Sequence, residues 1–318
     1  MDGRRAVAWL HRRAGFGLHP EELDAAAARG PAAELDRLLA PPEPPADDDW
    51  DDARLSFDPQ DRDARRYAIH RWLDLMVGST RPLVDRMAWL WHGHLVSALD
   101  KVRIARLMVD QVRLLRRAGL GSFPDLLSAV AIDPAMLIYL DGRESTGRAP
   151  NENFARELME LFTLGVGQYV EADVRAGAAA LTGWRLRPRQ GRVALDPARH
   201  DDAPQRYLGV EGVHDLAGVV SALAAHPALP PFVSGAVAAE LLGRSDRAAV
   251  APLADAFTAG GRRIDALVRA ALEAGLAGRS GPVVLGPVPW LVTAQRVTGA
   301  VLEPAASPRS SPPWTRRV

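Results

Sequence analysis

The sequence predicts a mainly α-helical fold, a large multi-helix domain with a small β-hairpin inserted near residues 184–196. Apolar residues recur three and four positions apart through most of the chain; Leu83, Met87 and Leu90, for example, would share one face of a helix. Strand-like segments are clear at one place, on the two sides of a turn at residues 188–191. A hydrophobic content of 47% over 318 residues is enough to bury a large core.

Helix-end signals place the elements in order. Pro20 suits the first position of a helix, Thr80 could cap another with Pro82 in its first turn, and Gly165 suits a helix end. The predicted helices cover residues 4–13, 20–40, 61–77, 80–96, 101–118, 122–131, 134–140, 151–164, 171–182, 213–225, 228–243, 247–258, 263–274 and 289–301. We therefore expect one helical domain over residues 1–303.

Two segments have an amino-acid composition typical of regions that do not pack into a core. Residues 41–58 begin with an acidic, proline-rich stretch, which predicts a solvated linker or loop within the domain. Its acidic residues lack the ordered ligand spacing of a calcium loop. Residues 304–318 are rich in Pro, Ser and Arg, which predicts a disordered tail.

Composition excludes several classes of function. Lysine plus arginine and aspartate plus glutamate both total 39, so net charge gives no reason to bind nucleic acid. The chain has no cysteine, which rules out disulfides and thiolate chemistry. Phosphate-binding loops, dinucleotide fingerprints, nucleophile elbows and the HExxH zinc motif are absent from the sequence.

Membrane insertion and export signals are also missing from the printed sequence. No segment approaches the ~18 apolar residues of a membrane span. The apolar run at residues 6–10 is too short for a signal sequence. We expect a cytoplasmic protein without a transmembrane segment, with export together with a partner as an open alternative.

The predicted helix 151–164 carries an unusual polar stripe. Apolar residues cover more than half of its circumference, which is typical of a helix central in its domain. Asn153, Glu157 and Glu160 nevertheless line up on the remaining face, with Arg156 beside them. Carboxylates in a crowded interior need a partner. A buried Arg–Glu network, a catalytic or metal-binding stripe and a solvent-facing strip are the three interpretations.

Two histidine motifs are candidates for chemistry. His92 and His94 are two residues apart, so on an ideal helix they point about 200° apart and could share a metal only if the helix breaks at Gly93. A satisfied core histidine is the alternative for His94. His200 beside Asp201 could form an acid–base pair or a ligand cluster, or simply a polar turn.

Together these residues resemble one bacterial family, the one catalogued as domain of unknown function 1800. The resemblance runs from about residue 4 to residue 300. It rests on the motifs at residues 10–17, 91–95, 151–165, 181–184, 200–209 and 226–227. The family usually has asparagine and phenylalanine where this chain has Gly93 and Leu95, and glycine and lysine where it has Ala203 and Gln205. Its usual last motif, similar to P-P-N-V-x-G-W, is not found here. The resemblance implies a mainly helical protein, often encoded beside a sulfatase-like partner.

We expect the three polar elements to meet in one cleft with helix 151–164 as its floor. Such a cluster could hold a divalent metal, with His92 and His94 as ligands, or perform general acid–base hydrolysis.

The roles follow from the side-chain types. Glu157 or Glu160 would be a base or a metal ligand, and Arg156 would orient a carboxylate or an oxyanion. Asn153 would donate a hydrogen bond. His200, oriented by Asp201, would shuttle a proton. All six are candidate catalytic residues.

Two other functions remain open. The chain could be a non-enzymatic helical scaffold that binds a partner, such as the sulfatase-like protein, through the arginine-rich helix 101–118. It could also recognise a polysaccharide through Trp184 and neighbouring arginines.

Overall fold

A computed structural model describes residues 2–40 and 50–300. The described residues form sixteen α-helices and two small antiparallel hairpins, which confirms the predicted fold class. The helices are α1 (Gly3–Arg13), α2 (Pro20–Arg29), α3 (Pro31–Leu39), α4 (Arg62–Val77), α5 (Pro82–His94), α6 (Leu99–Val102), α7 (Ala105–Ala118), α8 (Phe123–Ala131), α9 (Pro134–Tyr139), α10 (Glu152–Glu160), α11 (Glu171–Ala180), α12 (Leu216–Ala225), α13 (Leu229–Leu242), α14 (Arg247–Ala259), α15 (Ile264–Leu276) and α16 (Pro287–Thr298).

The main core gathers apolar faces from both halves of the chain. Helices α13, α14 and α15 pack on one another, and α1 contacts α3, α13 and α15. Leu10, Val233 and Leu267 are fully buried in this cluster. Since α1 and α15 are far apart in sequence, the start of the chain is held by long-range packing.

A second group of helices forms the other side of the molecule. Helix α5 packs on α7, α4 packs on α7, and α16 packs on α4. Trp50 is 4% exposed and belongs to the smaller core cluster between α4 and α7. Asp52 lies 2.6 Å from a guanidinium nitrogen of Arg113 and 2.9 Å from one of Arg106. The end of the expected solvated linker is therefore packed against the domain, whereas residues 41–49 and the expected tail, 304–318, lie outside the described residues.

Two predicted helices are each divided in the structure. The segment 20–40 is split at Gly30, whose φ of 84° is a left-handed conformation that favours glycine. The segment 101–118 is split at Arg103, which has a φ of 62° and follows the single turn α6. Periodicity continues across both breaks, so spacing alone could not show them.

The predicted hairpin is present with its expected bounds. Strands β1 (Trp184–Arg187) and β2 (Arg192–Leu195) are antiparallel, with Trp184 opposite Leu195. A second hairpin was not predicted: β3 (Gln205–Tyr207) pairs with β4 (Val210–Val213) and packs on α11. Its buried Tyr207 holds it to the core, whereas its short polar strands show no alternation that sequence reasoning could use.

In the described part of the chain, no single helix is long and apolar enough to cross a membrane. The pair α12 and α13 passes the length and composition test together, but the two helices are bent by 79° at the break between them.

Candidate functional site

The polar stripe of α10 lies at the surface of the domain. Asn153 is exposed, and Arg156, Glu157 and Glu160 are half-buried. Arg156 makes two hydrogen bonds to the carboxylate of Glu171, at 2.8 and 3.2 Å. The expectation of carboxylates in a crowded interior is therefore wrong, because the apolar residues of this segment are accommodated by burying only one face of α10 and ending the helix at Glu160.

The remaining contacts of this stripe are local. Glu160 accepts a hydrogen bond from the hydroxyl of Tyr169 in the following loop. Asn151 caps the helix by accepting from the backbone N–H of Phe154 at 3.0 Å, and it donates to the carbonyl of Leu140 at 2.7 Å. These contacts anchor α10 and its flanking loops.

His200 and Asp201 are arranged by Thr182 and do not hydrogen-bond to each other. Nδ1 of His200 lies 3.0 Å from the carbonyl oxygen of Thr182. The backbone N–H of Asp201 donates to the Thr182 hydroxyl at 2.8 Å, and its carboxylate accepts from the N–H of Ala203 at 3.1 Å. The carboxylate thus stabilises its own turn, and the backbone, not Asp201, orients the imidazole.

His92 and His94 face different cavities, as expected for two histidines on an unbroken helix. Helix α5 continues through Gly93 and ends at His94. The ring of His92 packs edge-on against Trp72, with ring centroids 5.0 Å apart, in an apolar pocket. Burial lowers the pKa of His92 to about 4. The two imidazoles therefore do not converge on one ion.

His94 is held by the end of α10. Its Nε2 lies 2.9 Å from the carbonyl oxygen of Phe162, and its ring contacts Trp91 and Phe232. That carbonyl follows the last turn of α10 and is free to accept. The 91–95 and 151–165 motifs thus meet through one hydrogen bond.

This hydrogen bond fixes the tautomer of His94. A carbonyl oxygen can only accept, so Nε2 carries the proton and the neutral ring presents a lone pair at Nδ1. Burial lowers the pKa of His94, although the hydrogen bond to Phe162 opposes the shift. Among the described residues, the hydrogen bond of the His94 ring is the one from Nε2 to the Phe162 carbonyl. The lowered pKa favours the neutral ring, in which Nδ1 is the basic nitrogen.

His94 lines a cavity of about 560 Å³, which we call the His94 groove. The groove lies between α5, α13 and the segment before α16; its walls include Trp89, Gly93, His94, Glu240, Arg244 and Val284. An Oε1 of Glu240 lies 2.8 Å from Nε of Arg86, whose side chain is 2% exposed. A neutral histidine, an ion-paired carboxylate and a guanidinium therefore border one cavity.

The described contacts do not bring the three predicted polar elements into one cleft. Asn151 lies at the N-terminal end of α10, where its backbone N–H donates to the hydroxyl of Ser145. Residues 145 and 147 in turn make backbone hydrogen bonds to Gly183 and Arg199, next to His200 in the chain. Phe162, which holds His94, lies at the other end, about 15 Å away at 1.5 Å per residue. Among residues 2–40 and 50–300, no group of three or more His, Asp or Glu side chains could hold a metal ion.

Sequence reasoning missed Glu240, although a signal was present. It is the one charged residue between Leu229 and Leu242, a strongly apolar helix. A carboxylate in an apolar helix needs a partner, and Arg86 is that partner for Glu240.

A second polar cluster joins His11 on α1 to Glu34 on α3. The sequence gives no signal for this pair, because the spacing of residues within one helix does not show which helices contact each other. Nε2 of His11 lies 2.8 Å from Oε2 of Glu34, and both side chains are at most 1% exposed. Arg29 and Arg37 also donate to Glu34. Burial alone would raise the pKa of Glu34, but the hydrogen bonds from Arg37, Arg29 and His11 outweigh it and lower the pKa to about 2. Burial lowers the pKa of His11, whose Nδ1 lacks a partner among the described residues.

Comparison with known proteins gives one match. The sequence model of a family described as protein of unknown function, DUF1800, matches residues 9–316. No curated protein and no solved structure matches the chain. The family match spans nearly the whole sequence and includes both motifs that meet at His94. The chain therefore belongs to the DUF1800 family.

Proposed function

We propose that this protein is a hydrolase that uses His94 as a general base and acts on carboxylic esters in the His94 groove. The observation that carries the proposal is the fixed tautomer of His94, in which Nε2 donates to the Phe162 carbonyl and Nδ1 is left as the basic nitrogen. A neutral imidazole whose second nitrogen is anchored by a carbonyl is suited to accept a proton.

The walls of the groove favour a neutral substrate over a strongly anionic one. Arg244 is already paired with Asp246, at 2.9 and 3.2 Å, so it offers little uncompensated charge to a phosphate dianion. Glu240 adds a carboxylate, and Trp89 and Val284 add apolar surface. An ester combines a polarisable carbonyl with apolar substituents, which matches this mixed lining.

The reaction balances with one proton transferred and returned. Nδ1 of His94 takes a proton from water as the oxygen of that water bonds to the ester carbonyl carbon. The resulting oxyanion accepts a hydrogen bond from Nη1 of Arg244, the nitrogen that the pairing with Asp246 through Nε and Nη2 does not use. The C–O bond to the alcohol then breaks, and His94 returns its proton to the departing alkoxide. The products are the acid and the alcohol.

A His94→Gln variant tests this role. The glutamine amide can still donate to the Phe162 carbonyl, while the basic nitrogen is lost. With p-nitrophenyl acetate and butyrate as probes, kcat/KM should fall about 100-fold or more, which is the typical contribution of a general base. In the wild type, kcat/KM should rise with pH through a pKa below the ordinary 6.5 of histidine and then level off, because the base must be unprotonated.

Two controls make the test specific. His70→Gln changes an exposed histidine on α4 that is not among the groove's lining residues, and it should leave the rate unchanged. Gly93→Phe should raise KM without unfolding the chain, because a Cβ at Gly93 would meet no atom within 4 Å and the ring would enter the groove. A folded His94→Gln protein with the wild-type rate, or a wild type without saturable ester hydrolysis, would refute the proposal.

A protein-binding scaffold is the second candidate, and one observation favours it. Leu161, Val166 and Val170, close together in sequence after α10, are 48%, 76% and 63% exposed. The arginine-rich helix α7 suits this role less well than expected, because Arg106, Arg113 and Arg116 are paired with carboxylates.

Co-elution with the sulfatase-like protein in gel filtration would test this second candidate. A complex that Val166→Asp abolishes and His94→Gln preserves would support a scaffold. A complex equally stable in Val166→Asp would exclude this surface.

A further inference from the structure

A second cavity lies on the other side of α5 from the His94 groove, and its lining is almost wholly apolar. It has a volume of about 280 Å³ and lies between α4, α5, α7 and the start of α16. We call it the tryptophan pocket; Trp50, Trp72, Met76, Trp89, His92 and Val109 are among its walls. His92 is the single ionisable side chain among its described lining residues.

Three ring nitrogens of this lining are buried without a partner. They are Nε1 of Trp50, Nε1 of Trp72 and Nδ1 of His92, and none has a hydrogen bond to the described residues. Trp50 is 4% exposed, so bulk solvent does not reach most of its ring. Because an indole N–H can only donate, the two tryptophans require an acceptor. Buried polar groups without partners are rare in folded proteins, and several in one cavity point to a ligand.

We propose that the tryptophan pocket binds a small uncharged aromatic molecule that carries one oxygen acceptor. The volume exceeds that of a 150 Å³ cavity known to hold benzene, so one ring with a short substituent fits. Indole rings favour stacked or edge-on contacts with another aromatic ring. An oxygen on the ligand would accept from an indole N–H.

The pocket also selects against charge. Its described walls hold no Asp, Glu, Lys or Arg that could pair with an ionic ligand. Burial keeps the His92 ring neutral near pH 7, since it lowers the pKa to about 4. Taking an ion into such a site would cost its hydration without compensation. This inference does not depend on the ester hydrolase proposal, because it rests on the lining of the tryptophan pocket alone.

Three probes of similar size separate the contributions of the aromatic ring, the oxygen acceptor and the charge of the ligand to binding. By calorimetry with the full chain, acetophenone, which has a ring and a carbonyl, should bind saturably. Ethylbenzene, which lacks the oxygen, should bind about 3- to 10-fold more weakly, as expected for one hydrogen bond. Benzoate, which is charged, should not bind. No saturable binding of acetophenone, or equal binding of acetophenone and benzoate, would overturn the proposal.

Variants then locate the site. Trp72→Phe removes one N–H. It should weaken the binding of acetophenone and leave the binding of ethylbenzene nearly unchanged. Simple disruption of the pocket would instead weaken the binding of both probes. Ala68→Leu should fill the cavity and abolish the binding of both acetophenone and ethylbenzene, since Ala68 lines the pocket. Trp184→Phe, on β1 and outside the pocket, is the matched control. Unchanged acetophenone affinity in a folded Ala68→Leu protein would place binding elsewhere and refute the assignment.

Discussion

The structure allows an estimate of how much a substitution of Glu34 would change the free energy of unfolding. Its carboxylate is fully buried and accepts from His11, Arg29 and Arg37. A carboxyl whose pKa falls from 4.5 to about 2 favours the folded state by about 3 kcal/mol at neutral pH, since each pKa unit is worth about 1.4 kcal/mol. The two arginines are nearly half exposed and therefore screened by water, so we expect Glu34→Gln to lower the free energy of unfolding by about 2–3 kcal/mol.

The pH dependence has a definite sign. The pKa is lowered by folding, so the stabilisation is complete above about pH 4.5 and is lost as the pH falls toward 2. Urea unfolding followed by circular dichroism at pH 7 and pH 3 measures this directly. The difference between wild type and Glu34→Gln should shrink by about half at pH 3.

Asp36→Asn provides the matched control on the same helix. Asp36 pairs with Arg269 at 2.9 Å, but both side chains are largely exposed, so this pair should contribute less than about 1 kcal/mol. Equal losses for the two variants, or a Glu34→Gln effect that does not change with pH, would show that burial of the network is not what stabilises α1 against α3.

Two glycines give opposite predictions for the same substitution. Gly93→Ala should raise the free energy of unfolding by up to about 1 kcal/mol, because the added methyl meets nothing within 4 Å and alanine favours the helix. Gly275→Ala should lower it by about 1–3 kcal/mol, because its Cβ would overlap the ring of Trp9. Urea unfolding measures the change in free energy for both variants. Gly235→Ala is the control for Gly275→Ala, because a Cβ at Gly235 in α13 would meet no atom within 4 Å. A stabilising Gly275→Ala would mean that Trp9 has room to move.

The fold was largely predictable because its signals are local. The turn between Arg187 and Arg192 fixed the first hairpin, and apolar spacing located most helices within a few residues. The break at Gly30 escaped because glycine within a periodic segment is compatible with either a helix or a turn. The second hairpin escaped because Tyr207 is the one large buried residue of its strand β3.

The candidate site was harder, since it depends on contacts between distant elements. His94 was identified from its motif, but its tautomer is set by Phe162, which is 68 residues away. Periodicity cannot show whether Glu157 faces water or another helix. The pairing of Arg86 with Glu240 required only the composition of α13, so this part could have been found.

Trp89 belongs to the walls of both cavities described above. A molecule that shifts this indole from one side necessarily reshapes the space on the other. By thermodynamic reciprocity, any change that filling one cavity makes in the affinity of the other would be returned to the same degree. Replacing this one ring would therefore change the walls of both cavities at once.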